Sequence, residues 1–568
     1  MTIPEPGPGT NAMTDRFRAV GDRILEELLS DAPEWAGELG DLRFADRLAD
    51  HSADADGRRV AMLADALGAL DEIDDTLLPL PDRVDLELLR SRLTADMWRL
   101  SELRQHTWDP LRHSPGDALY QLIARDTLPA EERLRALAAR CRAVPDFLAT
   151  ARARLDDGPG MPRPHVETAV GQTRGTAALL GPELDALLES AASAGSGRAA
   201  PALRREVEAA RETARAALAE HASWLENRLE TAAADPRLGA RAYAAQLWYT
   251  LDSELTPDTL LTRAESDLIA TEEEIAEVAA AYDGRPAHIG QVRAVLDRLT
   301  EEAATDADSL RPLCEQAHRH LLARVAELDL VTVTRDEARI IPMPESHRGV
   351  AVAYCDPPGP LAPPGGVTLI AVAPPPDDWP RERRDSFYRE YNAHMLRNLM
   401  VHEGVPGHAL QLAHAARYTG GTRIRHALWS GPFVEGWAVY AEELVAGAGW
   451  TDSADLALRL FQLKTRLRVI LNAILDVGVH AGDLTEAAAM ELLVERGHQE
   501  EGEAVGKWRR AQLTSAQLAT YYVGYREVAD LARDLAAARP GAGRRELHDA
   551  MLAHGSPPPR HLRTLLGV

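Results

Sequence analysis

The sequence predicts a mainly α protein, a large multi-helix body with one small antiparallel β-sheet just ahead of a histidine-rich motif. Three observations predict it. Apolar residues recur at three- and four-residue spacing from about Asp15 to Ala326, and again from about Ser386 almost to the end. Short β-branched runs are confined to about 328–375. At 568 residues and 45% hydrophobic content, the chain is long and apolar enough for a substantial core.

In chain order, Met1 to Asn11 is rich in Pro and Gly, and residues 1–13 are expected to form a flexible tail. The segment Arg83 to Leu93 has a helical apolar face. Pro201 to Ala233 reads as a long Ala-rich helix with Glu and Arg outside, and Pro201 suits its first turn. Thr256-Pro257 is a further helix start, with a capping Thr and a first-turn Pro. Three strands are then expected: Leu328–Thr334, Val350–Cys355 and Val367–Val372, separated by Pro- and Gly-rich turns. An edge strand there could hold an extended peptide, or the hairpin could be purely structural. At the end, Pro557-Pro558-Pro559 marks a turn before a short docking helix from Arg560 to Leu566. These elements group as a helical region 14–327, one wall of a cleft, and a metal-binding region 328–568, the two forming one continuous unit.

Net charge is −25 and no Lys/Arg-rich run occurs, so nucleic acid and anionic membranes are not expected partners. Cys141, Cys314 and Cys355 are isolated and form neither a disulfide framework nor a CxxC pair. The N-terminus lacks a basic-then-apolar pattern and no apolar run reaches the length of a membrane span. The expectation is a cytoplasmic protein.

Chemistry concentrates in His402-Glu403-Gly404-Val405-Pro406-Gly407-His408 and in Phe433 to Glu442. Catalytic zinc takes three ligands of the His/Glu kind and keeps a fourth position for water. His402, His408 and Glu435 supply such a set, and Glu403 stands where a general base is needed. The histidines are six residues apart, which on a regular helix rotates the second by about 240°, away from the first. Pro406 cannot donate to the carbonyl of His402, and Gly407 tolerates unusual backbone. A helix irregularity at 404–407 is therefore predicted, returning His408 to the metal. Glu442, seven residues after Glu435, either orients a ligand histidine or is a surface charge.

The two stretches together, His-Glu-x-x-Pro-Gly-His and Glu-Gly-Trp-Ala-x-Tyr-x-Glu, resemble the DUF885 family of bacterial proteins. That family looks related in fold to M32 carboxypeptidases, mostly helical gluzincin-type metallopeptidases. The resemblance covers about 240–568. Asp476-Val477-Gly478-Val479-His480 resembles the family's Asp-x-Gly-x-His segment, and Gln517 to Gly524 its Gln-x-x-x-Tyr-x-x-Gly segment. It implies His402, His408 and Glu435 as zinc ligands and Glu403 as base. His480 and Tyr521 become candidates to stabilise an oxyanion or bind a substrate carboxylate. Alternatively His480 pairs with Asp476 beside the ligand shell, and Tyr521 is core. Tyr522 and Tyr525 are neighbouring candidates.

Two departures from the family pattern stand out. Ala409 replaces a second His, and Asn472 stands where the family commonly has Arg; Arg466 and Arg468 are near but out of register. Arg is the natural partner of a carboxylate, so an altered substrate is in view. The expected function is a zinc-dependent hydrolase of amide bonds acting on short peptides, with another divalent metal as the alternative ion. The alternatives are the same scaffold adapted to cleaving an amino-acid conjugate in biosynthesis, and a non-catalytic scaffold with a vestigial metal site. The resemblance also implies a homodimer.

Overall fold

The computed structural model describes residues 8–125, 127–193, 200–343, 352–363, 365–376, 379–448 and 455–568. Several helices begin where the sequence supplies a proline or a cap. The helix Pro257–Asp283 opens with a reciprocal cap: Thr256 Oγ1 accepts from Thr259 N, and Thr259 Oγ1 accepts from Thr256 N. The helices Ala200–Arg228 and Pro559–Leu566 start at the expected prolines.

Residues 8–13 of the expected N-terminal tail are helical. Residues 1–7 lie outside the described residues, and a helix runs Pro8–Asp31. Pro8 costs nothing in a first turn, and Phe17, Ile24 and Leu28 bury one face and hold the helix down.

Burial divides the chain far ahead of residue 328. The largest core runs from Tyr243 to Leu562 and includes the helices Ala240–Leu251, Pro257–Asp283, Gln291–Glu302 and Leu310–Glu327. The preceding helices build smaller cores, one around Leu137, Val144 and Leu218 and another around Phe17, Leu89 and Leu93. Ile424 and Leu428 join the second and tie the parts together. The reason is pairwise helix packing: Pro257–Asp283 lies on Asp455–His480, and Leu310–Glu327 on Ala393–Glu403.

The sheet has strands β1 (Ala338–Pro342), β2 (Ala353–Asp356) and β3 (Thr368–Val372) in the order β1-β3-β2. It is mixed, which corrects the antiparallel expectation. β3 pairs parallel with β1, Ile340 opposite Ile370, and antiparallel with β2, Cys355 opposite Ile370. β2 lies between β1 and β3 in the chain, so its passage gives β3 the length of connection that a parallel pairing needs. The start of the second expected strand, Val350 and Ala351, lies outside the described residues.

The expected strand Leu328–Thr334 does not form. Leu328 closes the preceding helix, and Asp329 takes a left-handed φ of 51°. Leu330 and Val331 bury as loop anchors, and Thr332 bonds to Asp549 through both its N and its Oγ1. Burial and side-chain bonds thus satisfy this β-branched run without a ladder.

Candidate metal centre

Asn392 starts the helix that carries the first histidine. Its side-chain oxygen accepts from His394 N and Met395 N, and the helix runs Ala393–Glu403. The helix stops at Gly404 and a second one, His408–Ala415, begins after Gly407. The Val405–Pro406 peptide is cis. The irregularity expected at 404–407 is thus a full break. Close approach explains the glycines: a Cβ at Gly407 would sit 2.0 Å from His402 O, and one at Gly404 would sit 2.7 Å from Met400 O. Gly407 N donates to Val401 O at 2.9 Å and folds the chain back on the helix it has left. Trp437 Nε1 donates to Pro406 O at 2.8 Å and ties the turn to the helix Gly431–Ala448. As a result the His402 and His408 rings meet edge to face, with centroids 4.6 Å apart.

The helix Gly431–Ala448 supplies Glu435. Its Oε2 lies 3.4 Å from His402 Nε2 and 3.5 Å from His408 Nε2. One ligand atom from each of the three residues falls within 4.8 Å of the others. Glu435 Oε2 and His408 Nδ1 are buried with no hydrogen-bond partner among the described residues. A buried carboxylate oxygen between two imidazole nitrogens, bonded to neither, fits a divalent metal of the His2Glu kind. Burial works against the Glu435 carboxylate, but His408 and then His402 outweigh it and hold the group well below the usual carboxylate range. Burial likewise disfavours the His402 imidazolium, while the Glu435 and Glu442 carboxylates beside it raise its pKa well above the ordinary value.

Glu442, 2% exposed, is no surface charge. Its Oε1 lies 2.8 Å from His402 Nδ1, which leaves His402 Nε2 to face Glu435. Glu403 follows His402 in the last helical turn and is 9% exposed. No hydrogen bond or ion pair engages its carboxylate among the described residues. The helix Ala393–Glu403 packs on β2, and burial, and then the charge of Glu403, push the Cys355 thiol well above its ordinary pKa. The N-terminal helices reach the same strand, since Tyr120 Oη lies 2.8 Å from Tyr354 Oη and Arg125 Nε donates to Asp356 at 2.9 Å.

Tyr521 enters on the helix Gln517–Ala538. This helix and Gly431–Ala448 touch backbone to backbone, for a Cβ at Gly436 would lie 2.2 Å from Gly524 C. That approach brings Tyr521 within the electrostatic reach of Glu435. Burial, then the Glu435 charge, raise the Tyr521 pKa, against the pull of Arg510. Tyr521 Oη accepts from Arg510 Nη2 at 3.2 Å and Gln517 Nε2 at 3.4 Å. Both partners are donors, so the phenolic proton remains free to be given.

His480 and Asp476 make no described contact with the three clustered residues. His480 Nε2 faces Ala511 O at 2.9 Å and Thr514 O at 2.8 Å, and its ring stacks on Tyr243. Asp476 accepts from Ala516 N and Ala519 N and so caps the Tyr521 helix, while burial pushes it up to about 7. Tyr522 bonds Asp267, and Tyr525 bonds Glu443. Arg466 is engaged by Glu274 and Glu443, and Arg468 by Glu390. Ala409 and Asn472 are buried. The residue that sequence reasoning missed is Arg510: it belongs to no recognised motif, and its link to Tyr521 across two helices is legible only in three dimensions.

Fold and cluster together define a large helical protein with a buried His2Glu group of metal-ligating side chains. The chain belongs to the family described as "Bacterial protein of unknown function (DUF885)", which matches residues 33–566. No curated protein matches it significantly. Its fold is similar to a solved structure from Shewanella oneidensis, described as "a putative lipoprotein of unknown function", with a TM-score of 0.79 and 26% identity over 97% of this chain and 100% of that one. It is also similar in fold to "the putative lipoprotein from Colwellia psychrerythraea", with a TM-score of 0.82 and 15% identity over 98% of both chains. Both similar proteins carry the lipoprotein description, which overturns the cytoplasmic location expected from the N-terminal residues. Among the described residues no helix is long and apolar enough to cross a membrane.

Proposed function

We propose that the protein is a zinc-dependent hydrolase of amide bonds, a metallopeptidase acting on short peptides or amino-acid conjugates on an M32-like scaffold. The observation that carries this reading is the buried Glu435 Oε2, unpartnered between His402 Nε2 and His408 Nε2, with the unbonded Glu403 carboxylate adjoining. His402, His408 and Glu435 would hold the ion. When bound, zinc supplies a Lewis acid for the scissile carbonyl and lowers the pKa of water. Glu403 takes a proton from the attacking water and passes it to the leaving amine. Tyr521 donates its free O–H to the developing oxyanion, a bond that strengthens as charge builds. Glu442 fixes the His402 ring so that Nε2 stays toward Glu435. A vestigial scaffold site would have no use for a free carboxylate next to the first histidine.

Metal analysis beside a peptide screen tests the proposal. One zinc per chain is expected in the wild type and none in Glu435→Ala or His408→Ala. Glu403→Gln should keep zinc and lose about 10²- to 10⁴-fold in turnover. A wild type that neither contains zinc nor takes it up sinks the reading.

A further inference from the structure

We infer that Tyr440 and His548 are positioning residues for the metal centre, which brace the turn carrying His408 against the helix carrying Glu435. The inference rests on the reading of His402, His408 and Glu435 as metal ligands, and goes beyond it to what holds them in place.

The two histidines are held differently. His402 has Glu442 at its Nδ1, whereas His408 Nδ1 is buried with no hydrogen-bond partner among the described residues. A ligand histidine normally gives its second nitrogen to a carboxylate or carbonyl, which sets the ring. The His408 ring therefore takes its place from its backbone, and that backbone is pinned at both ends. Ahead of it, Trp437 Nε1 donates to Pro406 O at 2.8 Å. In the last turn of its helix, His414 Nε2 donates to Thr332 O at 2.7 Å.

Both pins lead to one helix, Arg544–Leu552, and to adjacent residues on it. Thr332 gives its N–H and its hydroxyl to Asp549, at 2.9 and 2.6 Å. His548 Nδ1 lies 2.6 Å from Leu330 O. A carbonyl only accepts, so Nδ1 carries the proton of the neutral ring, and burial keeps His548 neutral by lowering its pKa. Nε2 is then an acceptor and takes the Tyr440 hydroxyl at 3.0 Å. The His548 ring also stands edge-on to Trp437, with centroids 5.8 Å apart. The segment Leu330–Thr332, which has the residues of a strand but joins none, is thus a strap. Through His548 and Tyr440 it ties the His408 helix to the helix that carries Trp437 and Glu435. Residues that only filled the core would cost stability when cut back, without acting on the turn or on zinc.

Amide hydrogen exchange of the metal-free protein and zinc affinity by chelator competition test the brace. Tyr440→Phe removes one hydroxyl, and His548→Leu removes both bonds of the ring. His548→Gln can still donate to Leu330 O and accept from Tyr440. Gln105→Leu, which loses a bond to Asp109 in the N-terminal region, is the control for stability. Tyr440→Phe and His548→Leu should speed exchange at 404–411 about 5- to 10-fold and weaken zinc binding about 10-fold. His548→Gln should restore most of both, and Gln105→Leu should change neither while lowering the melting temperature. Wild-type exchange and zinc affinity in Tyr440→Phe and His548→Leu would overturn the brace and leave the hydrolase reading standing. Equal losses in His548→Gln and His548→Leu would also overturn it, by assigning the effect to ring packing. A wild type that takes up no zinc, with faster exchange at 404–411 in the two variants, would sustain the brace and sink the hydrolase reading.

Discussion

Glu442 Oε1 lies 2.8 Å from His402 Nδ1, and the other oxygen of Glu442 accepts from Asn398 Nδ2. The same Asn398 nitrogen donates to Thr465 Oγ1 at 3.1 Å. A carboxylate so held fixes both the tautomer and the tilt of the ring beside it. Glu442→Gln should weaken zinc binding about 10- to 100-fold, read by competition against a chelator of known affinity. An unchanged affinity would mean that His402 needs no orienting partner.

The turn at 404–407 makes a sharper prediction. Gly407→Ala forces a Cβ to within 2.0 Å of His402 O and 2.3 Å of Val401 O, both backbone atoms that cannot rotate away. The variant should lose zinc and about 3 kcal/mol of stability. Gly506→Ala is the control: this glycine lies inside the helix Glu501–Leu513 with nothing within 4 Å of an added Cβ. It should gain roughly 0.5–1 kcal/mol. Thermal melts with metal analysis check both, and a zinc-replete Gly407→Ala would refute the geometry.

The motif residues were legible because each carries a local cost. A Pro-Gly pair between two histidines breaks a helix, and nothing but a site requires the break there. The helices were legible from apolar spacing and caps, as Thr256 illustrates. What escaped was non-local. Leu328–Thr334 has the residues of a strand, yet Leu330 and Val331 find burial in a loop and Thr332 finds Asp549. Pairing of β1 with β3 depends on a partner thirty residues on. His480 sits in a motif-like segment, but its nitrogen is spent on carbonyls from a different helix end, and the arginine beside Tyr521 comes from a helix with no motif.

Those carbonyls lead to a prediction about His480. Its Nε2 holds Ala511 O and Thr514 O just ahead of the Tyr521 helix, whose N-terminus Asp476 caps. His480→Phe keeps a ring against Tyr243 and loses both carbonyl contacts. Asp476→Ala loses two buried acceptors and should cost about 1–3 kcal/mol. In both variants melting should fall while the turnover of the folded fraction stays within about threefold. A His480→Phe protein with unchanged melting and turnover down a hundredfold would return His480 to the chemistry.

Glu527 gives a pH prediction away from the metal centre. Its Oε1 accepts from Ser253 Oγ at 2.6 Å, while Oε2 is buried without a partner among the described residues. Burial pushes the group from 4.5 up to about 7, against the Ser253 bond and Arg263, with Asp252 adding to the rise. The folded pKa is above the unfolded one, so the fold favours the protonated acid. That contribution is fully present below about pH 4.5 and is lost as pH rises through about 7. Glu527→Gln resembles the protonated form at every pH and keeps an acceptor for Ser253. Its stability relative to the wild type should therefore be near zero at pH 4.5 and grow to about 1–3 kcal/mol by pH 8. Urea unfolding of both proteins at the two pH values measures the difference, in which every other titrating group cancels to first order. A gain of the same size at both pH values would assign the effect to packing, and a loss at pH 8 would show that Glu527 is held charged in the fold.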